Sequence, residues 1–486
     1  MRRVRRTPIV LLVGALVVAA IAFSARDDAD SISDTQPVVP VAAVSALPAA
    51  DALSASWYCA EGTSNAGGRA DETIVVSSAA DTPITAIVTV MPGGTTSPSS
   101  RTLEVAPHRE VRLPVSQVLA TADPGVVVEI EGGQAAVAHE VRNGADFAAE
   151  PCARRASPDW YFAAGTTVRG TQQYLVLFDP FGDDAIVDVR FLTGSGVQEP
   201  DQLQGLVVSR GSRVAIPVHE LVPREQVVAA EVHARTGRVV AERSMIFDGT
   251  VPDDAPARRG IALSLGAVAP ARAWELPFGT TADGGSSTVG VANFGDAPAT
   301  TELDVLIDGG EQVARVPVSV PPRTAVTVDV GAHAPPGSDF AVRASTRPSS
   351  DRRARIVVEA LSWWPDASSS TAVASSLGMP LAARRWVVPL PAVDAGGTVT
   401  VVNPGAGPVT AELRVFGADG RAPVSAPAAA IAPGHDASFD LGALTTGQPR
   451  VLVVVADADV VVGLTLRGAD GVAFAAAVPD FAATAG

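Results

Sequence analysis

The 486-residue sequence predicts an all-β chain: four tandem immunoglobulin-like β-sandwich repeats after one N-terminal apolar helix. Three observations carry that reading. A unit of about ninety residues recurs four times, its apolar residues alternate with period two, and Gly, Pro or Asp turns interrupt the runs every 8 to 12 residues.

The repeat is anchored by Trp57, Trp160, Trp274 and Trp386. From each Trp to the next apolar strand (Thr73, Tyr174, Thr288, Thr398) is 16, 14, 14 and 12 residues. From the same Trp to a Pro/Asp-aliphatic pair (Pro114-Val115, Pro217-Val218, Asp329-Val330, Asp440-Leu441) is 57, 57, 55 and 54. Repeat 1 covers residues 56–150, repeat 2 158–250, repeat 3 272–365 and repeat 4 384–482, and Pro/Ser/Asp-rich breaks between them suit domain boundaries. Within repeat 2, Ile186, Val187, Val189 and Phe191 interleave with Asp188 and Arg190, the pattern of a half-buried strand. The paired runs that close each repeat, such as 125–141, read as hairpins on a tight Gly turn. A four-bladed propeller of double units is the competing architecture, and it ranks lower because the period is ninety and not forty-five.

The N-terminus is built for export. Four arginines precede an uncharged apolar run, Ile9 to Phe23, and acidic residues follow it, which places the N-terminus in the cytoplasm and the bulk outside. Residues 1–25 therefore read as a signal anchor, or as a signal peptide cleaved near Ala22, and 26–55 as an Ala/Pro/Ser-rich stalk. The expected product is a single-pass membrane protein with an extracytoplasmic C-terminal bulk, or a secreted one if the signal is removed. Export also predicts a disulfide between Cys59 and Cys152, which bracket repeat 1. A net charge of −16, with every cation an arginine, argues against a nucleic-acid partner.

The opening Trp160-Tyr161-Phe162-Ala163-Ala164-Gly165, the central Gly211-Ser212-Arg213 and the closing Val240-Ala241-Glu242-Arg243 resemble one repeat of an uncharacterised actinobacterial exported or membrane-anchored family of unknown function. Its repeats read W-Y-x-A-E-G … V-A-E-R. Repeat 1 keeps the opening as Trp57-Tyr58-Cys59-Ala60-Glu61-Gly62, and repeats 3 and 4 keep only the Trp and the strand rhythm. The resemblance implies an architecture and no activity.

Candidate chemistry is sparse. An acidic residue recurs in the last apolar strand: Glu140, Glu242 and Glu359 follow their Trp by 83, 82 and 85 residues, with Leu464 at the place in repeat 4. A ligand site per repeat is one reading; a structural ion pair, a hydrogen bond to a neighbouring strand or a solvent-facing position is the favoured one. The four Trp are expected in the core or at a domain seam. Trp363 and Trp364 are the candidate partner or glycan contacts. The six histidines lack zinc-ligand spacing, no acidic run fits a calcium loop, and no nucleophile or nucleotide-binding motif occurs. No cofactor or metal is expected, and no catalysis. The expected function is a non-catalytic scaffold or adhesion protein of the bacterial cell envelope, bound to another envelope protein or a wall glycan and touching membrane only through its N-terminal helix. The alternatives are a carbohydrate or wall-polymer binding protein, or an enzyme whose site lies between domains.

Overall fold

The computed structural model describes residues 44–482, apart from Ala145 and the segments 251–256, 308–313, 348–353, 366–370, 390–395, 417–423, 443–450 and 469–470. The expected N-terminal helix and the first part of the stalk lie outside the described residues. The protein is nearly all β, built of antiparallel sheets. The last part of the expected stalk packs onto the body: Leu47 is buried and its N–H donates to Pro479 O at 2.8 Å, while Gln134 N donates to Pro48 O at 3.2 Å.

The same strand plan is built four times. In repeat 1 the first (Ser54–Cys59), sixth (Gly125–Glu131), third (Ile84–Met91) and fourth (Ser99–Val105) strands form one sheet in that order. The fifth (Glu110–Pro114), second (Asp71–Ser78), seventh (Ala135–Asn143) and eighth (Asp146–Pro151) form the other. Repeats 2 and 3 repeat both orders, with one extra short strand in repeat 2. In repeat 4 the sixth and seventh strands are one run, Val451–Gly468, whose first half pairs in one sheet and second half in the other. The third strand shows why the pattern folds this way: Ile84, Ala86, Val88 and Val90 are buried and the residues between them are not, so one face closes the core and the other stays wetter.

The expected terminal hairpin is not formed by its two runs. The sixth strand pairs with the first and third, whereas the seventh crosses to the opposite sheet and pairs with the second. The Gly132-Gly133-Gln134 corner, with Gly132 and Gln134 at φ of 105° and 57°, carries the chain between sheets and not around a hairpin. The hairpin is the next one along, seventh with eighth strand.

The eighth strands decide how the repeats assemble. Asp146–Pro151 packs on Arg259–Leu265, that strand on Thr371–Leu377, that on Gly471–Ala476, and the last returns to the first. Their described residues are rich in Ala, Ser and Gly, so four sheet edges converge closely: a Cβ on Gly260 would sit 3.2 Å from Val373 N. Each seam is also apolar, as with Ala148 against Ile261 and Leu263, and Ala262 against Val373. The described residues accordingly form one compact unit, with the ring closure of a propeller and a full two-sheet repeat in place of each blade. Sequence reasoning treated these as competing plans.

Candidate functional site

The four anchor tryptophans point into the core. All are at most 1% exposed, each on the first strand of its repeat. Trp160 Nε1 donates to Val239 O at 2.7 Å, Trp274 to Ile356 O at 2.8 Å, and Trp386 to Val460 O at 3.0 Å. These carbonyls lie where the chain passes from sixth to seventh strand, so in these three repeats the indole pins the sheet crossing, whereas Trp57 Nε1 is buried without a partner among the described residues. Beside Trp57, Cys59 and Cys152 form the expected disulfide, both residues fully buried. Repeats 2 and 3 fill the same two places without sulfur. Phe162 packs where a Cβ on Gly266 would fall 2.7 Å from its ring, and Leu276 packs 3.3 Å from the Cβ position of Gly378.

The recurring carboxylates meet at the seams between repeats. Strand register aligns Val75, Val176, Gly290 and Thr400 on the second strands, and opposite them on the seventh lie Ala138, Glu242, Glu359 and Gly463. Glu140 lies two residues further on, opposite Thr73, where it pairs with Arg142. It is therefore not the counterpart of Glu242 and Glu359, and the repeat-4 counterpart is Gly463, not Leu464. The Trp ruler misses this because loop lengths differ by a few residues and the pleat makes a small slip matter.

Both true counterparts reach into the preceding repeat. Glu242 Oε2 accepts from Ala60 N at 3.0 Å and Glu61 N at 2.6 Å; Glu359 Oε2 accepts from Ala163 N and Ala164 N, both at 2.7 Å. The loop after the anchor Trp thus presents two backbone donors to a seventh-strand glutamate of the next repeat, Glu242 within V-A-E-R and Glu359 within Val357-Val358-Glu359-Ala360. At the other two seams the loop opens with Pro277 or Pro389, which has no N–H, and the facing residue is Gly463 or Ala138. At the Pro277 seam the fit is close: a Cβ on Gly463 would come within 2.5 Å of Pro277 and Phe278. Donors and acceptor appear together and disappear together.

The cation beside each glutamate follows the same rule. His139, Arg243, Ala360 and Leu464 occupy the next register position. Arg243 of repeat 2 makes two parallel bonds to Glu359 of repeat 3, both at 3.0 Å, and His139 Nε2 of repeat 1 lies 3.4 Å from Glu242 Oε2 of repeat 2. Ala360 and Leu464 face seams where no glutamate stands. Glu242 and Glu359 are therefore each matched by a cation from the repeat before, as buried charge requires. The favoured expectation was an ion pair or hydrogen bond to a neighbouring strand; the partner is a neighbouring repeat.

Sequence reasoning passed over Glu61 and Arg213, although both stand in the motifs that it quoted. Glu61 is fully buried, accepts from Ser244 Oγ at 2.7 Å and pairs with Arg69 at 2.9 Å. Arg213, whose side chain is fully enclosed, donates to Ala60 O at 2.9 Å and pairs with Asp123 at 3.0 Å. The usable signal was co-occurrence across copies: Ala with Glu, Pro with Gly or Ala.

One imidazole serves three buried carboxylates at the first seam. His139 Nδ1 lies 3.1 Å from Glu72 Oε1, and Glu150 is close enough to interact with it. Burial pushes His139 down, but Glu242 and Glu72 outweigh it and its pKa is pushed up to about 9. A single cation cannot offset three carboxylates, so burial drives Glu242 up to about 7 and Glu150 well above the usual range, the latter aided by Glu242. These groups resemble acid–base machinery in their shifts alone. The void that His139 lines is about 10 Å³, too small for a substrate. Cys59, Glu72 and His139 place ligand atoms within 4.8 Å of one another, but the sulfur of Cys59 is committed to the disulfide.

A pH dependence of stability follows. A folded-state pKa of about 9 against an unfolded value of 6.5 means that His139 stabilises the fold fully below about pH 6.5, and that this is lost as pH rises through about 9. The melting temperature is expected to fall over that window, and His139→Gln to flatten the fall. An unchanged slope in the variant would show that the proton is held elsewhere.

Trp363 and Trp364 do not form an exposed platform. Trp364 is 4% exposed, edge-on to Phe474 at 5.6 Å, with Arg467 over its ring at 5.2 Å. Trp363 is half-buried with the Arg258 guanidinium 4.1 Å above it. Two wider clefts among the described residues border repeats 2 and 3. One of about 660 Å³ is lined by the 164–171 loop, His219, Arg224 and Arg258; another of about 520 Å³ has Tyr161 and Phe294 in its lining, their rings tilted against each other with centroids 5.0 Å apart.

Residues 141–253 match the model of a family of unknown function, DUF5719. The DUF5719 match takes in the end of repeat 1 and all of repeat 2, including its W-Y opening and V-A-E-R close, in accord with the resemblance to an uncharacterised family. No curated protein matches the chain. Among solved structures, Thermotoga maritima 1070 is similar over 23% of this chain and 94% of its own, at 14% identity and a TM-score of 0.20. Streptomyces avermitilis α-L-rhamnosidase, solved with L-rhamnose, is similar over 78% of this chain and 53% of its own, at 11% identity and a TM-score of 0.13. Likenesses at these TM-scores carry no argument about fold or function.

Proposed function

We propose that the chain is a non-catalytic, exported scaffold or interaction protein of the bacterial cell envelope, a ring of four immunoglobulin-like repeats held outside the membrane by the N-terminal apolar segment. The carrying observation is the use made of the recurring polar residues: Glu61, Arg213, Glu242, Arg243 and Glu359 are buried and consumed in joining one repeat to the next. A repeated active site would keep such groups at a cleft with converging donors and an open path for substrate. The immunoglobulin-like reading rests on the pairing of second with fifth and third with sixth strands; the first and seventh strands stand exchanged between sheets relative to that plan.

In-cell crosslinking with fractionation tests the reading. The full chain is expected in the envelope fraction, protected from external protease only until the wall is removed, and joined to an envelope protein or wall polymer. Recovery in the cytosol, or turnover of a substrate by purified chain, would overturn it. Wall-glycan binding is the second reading, and the aromatic rings of Tyr161 and Phe294 favour their cleft over Trp364 as its location. Loss of wall pull-down in Phe294→Ala, with Trp364→Phe unaffected, is the expected pattern for it.

A further inference from the structure

We propose that the cleft of about 660 Å³ between repeats 2 and 3 binds oxyanion groups, phosphate or carboxylate, of an extended ligand. Its lining carries Arg169, Arg224, Arg258 and His219, and no Asp or Glu among the described residues. In a chain with 52 acidic against 36 basic residues, a cleft with this lining is a local reversal of sign. Low-dielectric walls concentrate such a field, and guanidinium groups recognise phosphate and carboxylate through paired N–H donors.

Arg258 carries the argument further. Its Nε is buried without a hydrogen-bond partner, burial lowers its pKa, and among the described residues no carboxylate forms an ion pair with it. The Trp363 ring covers one face of the guanidinium, but its buried Nε–H is left without an acceptor, which is costly unless an anion completes it. By contrast Arg243, Arg213 and Arg343 each face a carboxylate. The cleft's volume lies within the range of small-ligand sites. Gly290 holds it in shape: a Cβ there would lie 2.8 Å from Ala164 Cβ, so repeat 3 approaches the loop to backbone distance. The proposal does not depend on the envelope reading. A phosphodiester polymer and a uronate-containing glycan would present the same chemistry.

Titration of the full-length chain with inorganic tripolyphosphate and, separately, trigalacturonate tests it, with maltotriose as the neutral control. Saturable binding of at least one anion is expected, weakening with salt and quenching or shifting the fluorescence of Trp363 beneath Arg258. Arg224→Gln and Arg258→Gln are each expected to weaken it about tenfold or more, the loss of one charge-assisted contact. Arg101→Gln, which lies in repeat 1, is expected to change nothing. Preference for tripolyphosphate would assign a phosphate ligand, and preference for trigalacturonate a carboxylate. Arg224 is exposed at a loop position, so Arg224→Gln stays informative even if Arg258→Gln does not fold. No saturable binding of either anion at about 1 mM, or equal binding by wild type and folded Arg224→Gln, would overturn the proposal.

Discussion

Replacing Glu359 with alanine is expected to destabilise the folded chain by about 3–5 kcal/mol, the cost of leaving one member of a buried ion pair without the other. Arg243, 1% exposed, would lose both of its bonds to the carboxylate, and Ala163 and Ala164 would lose the acceptor for their N–H groups. The cost should be relieved when the charge is removed from both sides. In Arg243→Met/Glu359→Gln the amide oxygen still accepts from the loop and no cation is stranded, so the double variant is expected to be more stable than Glu359→Ala. Denaturant midpoints of the single and double variants measure this. A loss below about 1 kcal/mol for Glu359→Ala would place the pair in solvent, contrary to its burial.

Removing the disulfide should cost at least as much. Cys59 and Cys152 are 93 positions apart, and closing a loop of that length is worth about 4–5 kcal/mol in the chain-entropy account. Cys59→Ala/Cys152→Ala is expected to show that loss in equilibrium unfolding, as is reduction of the wild-type chain. Repeats 2 and 3 supply the alternative solution, an apolar side chain over a glycine. Cys59→Phe/Cys152→Gly is therefore expected to recover part of the stability lost in the double alanine variant. Equal melting of oxidised and reduced chains would remove the entropic argument.

The unequal legibility of these two features has a physical cause. A disulfide needs two cysteines, and the chain has only two, so pairing followed from composition and export. The seam pairs need a register, and register is what the sequence conceals. Counting from Trp57 placed Glu140 beside Glu242 and Glu359, yet two residues along a strand carry a side chain one full pleat period away, to a different neighbour. Only the pairing of Val75 with Ala138 exposes the slip. The terminal hairpin failed similarly: a Gly-rich corner between two apolar runs serves a tight turn or a sheet crossing equally well, and the choice lies with the sheet that has an open edge.

Taken alone, the sequence determined the four-fold repeat, the all-β class, the cysteine pair and the buried place of the four tryptophans, because each depends on spacing and apolar alternation within one repeat. Tertiary structure alone decided that the repeats close into a ring, that a seventh-strand glutamate of one repeat reads the loop after the anchor Trp of the one before, and that Trp364 is covered while a cluster of arginines lines an open cleft. Those outcomes depend on contacts between residues about 110 to 200 positions apart. A local pattern records which face of a strand is apolar; it holds no record of which repeat will cover it.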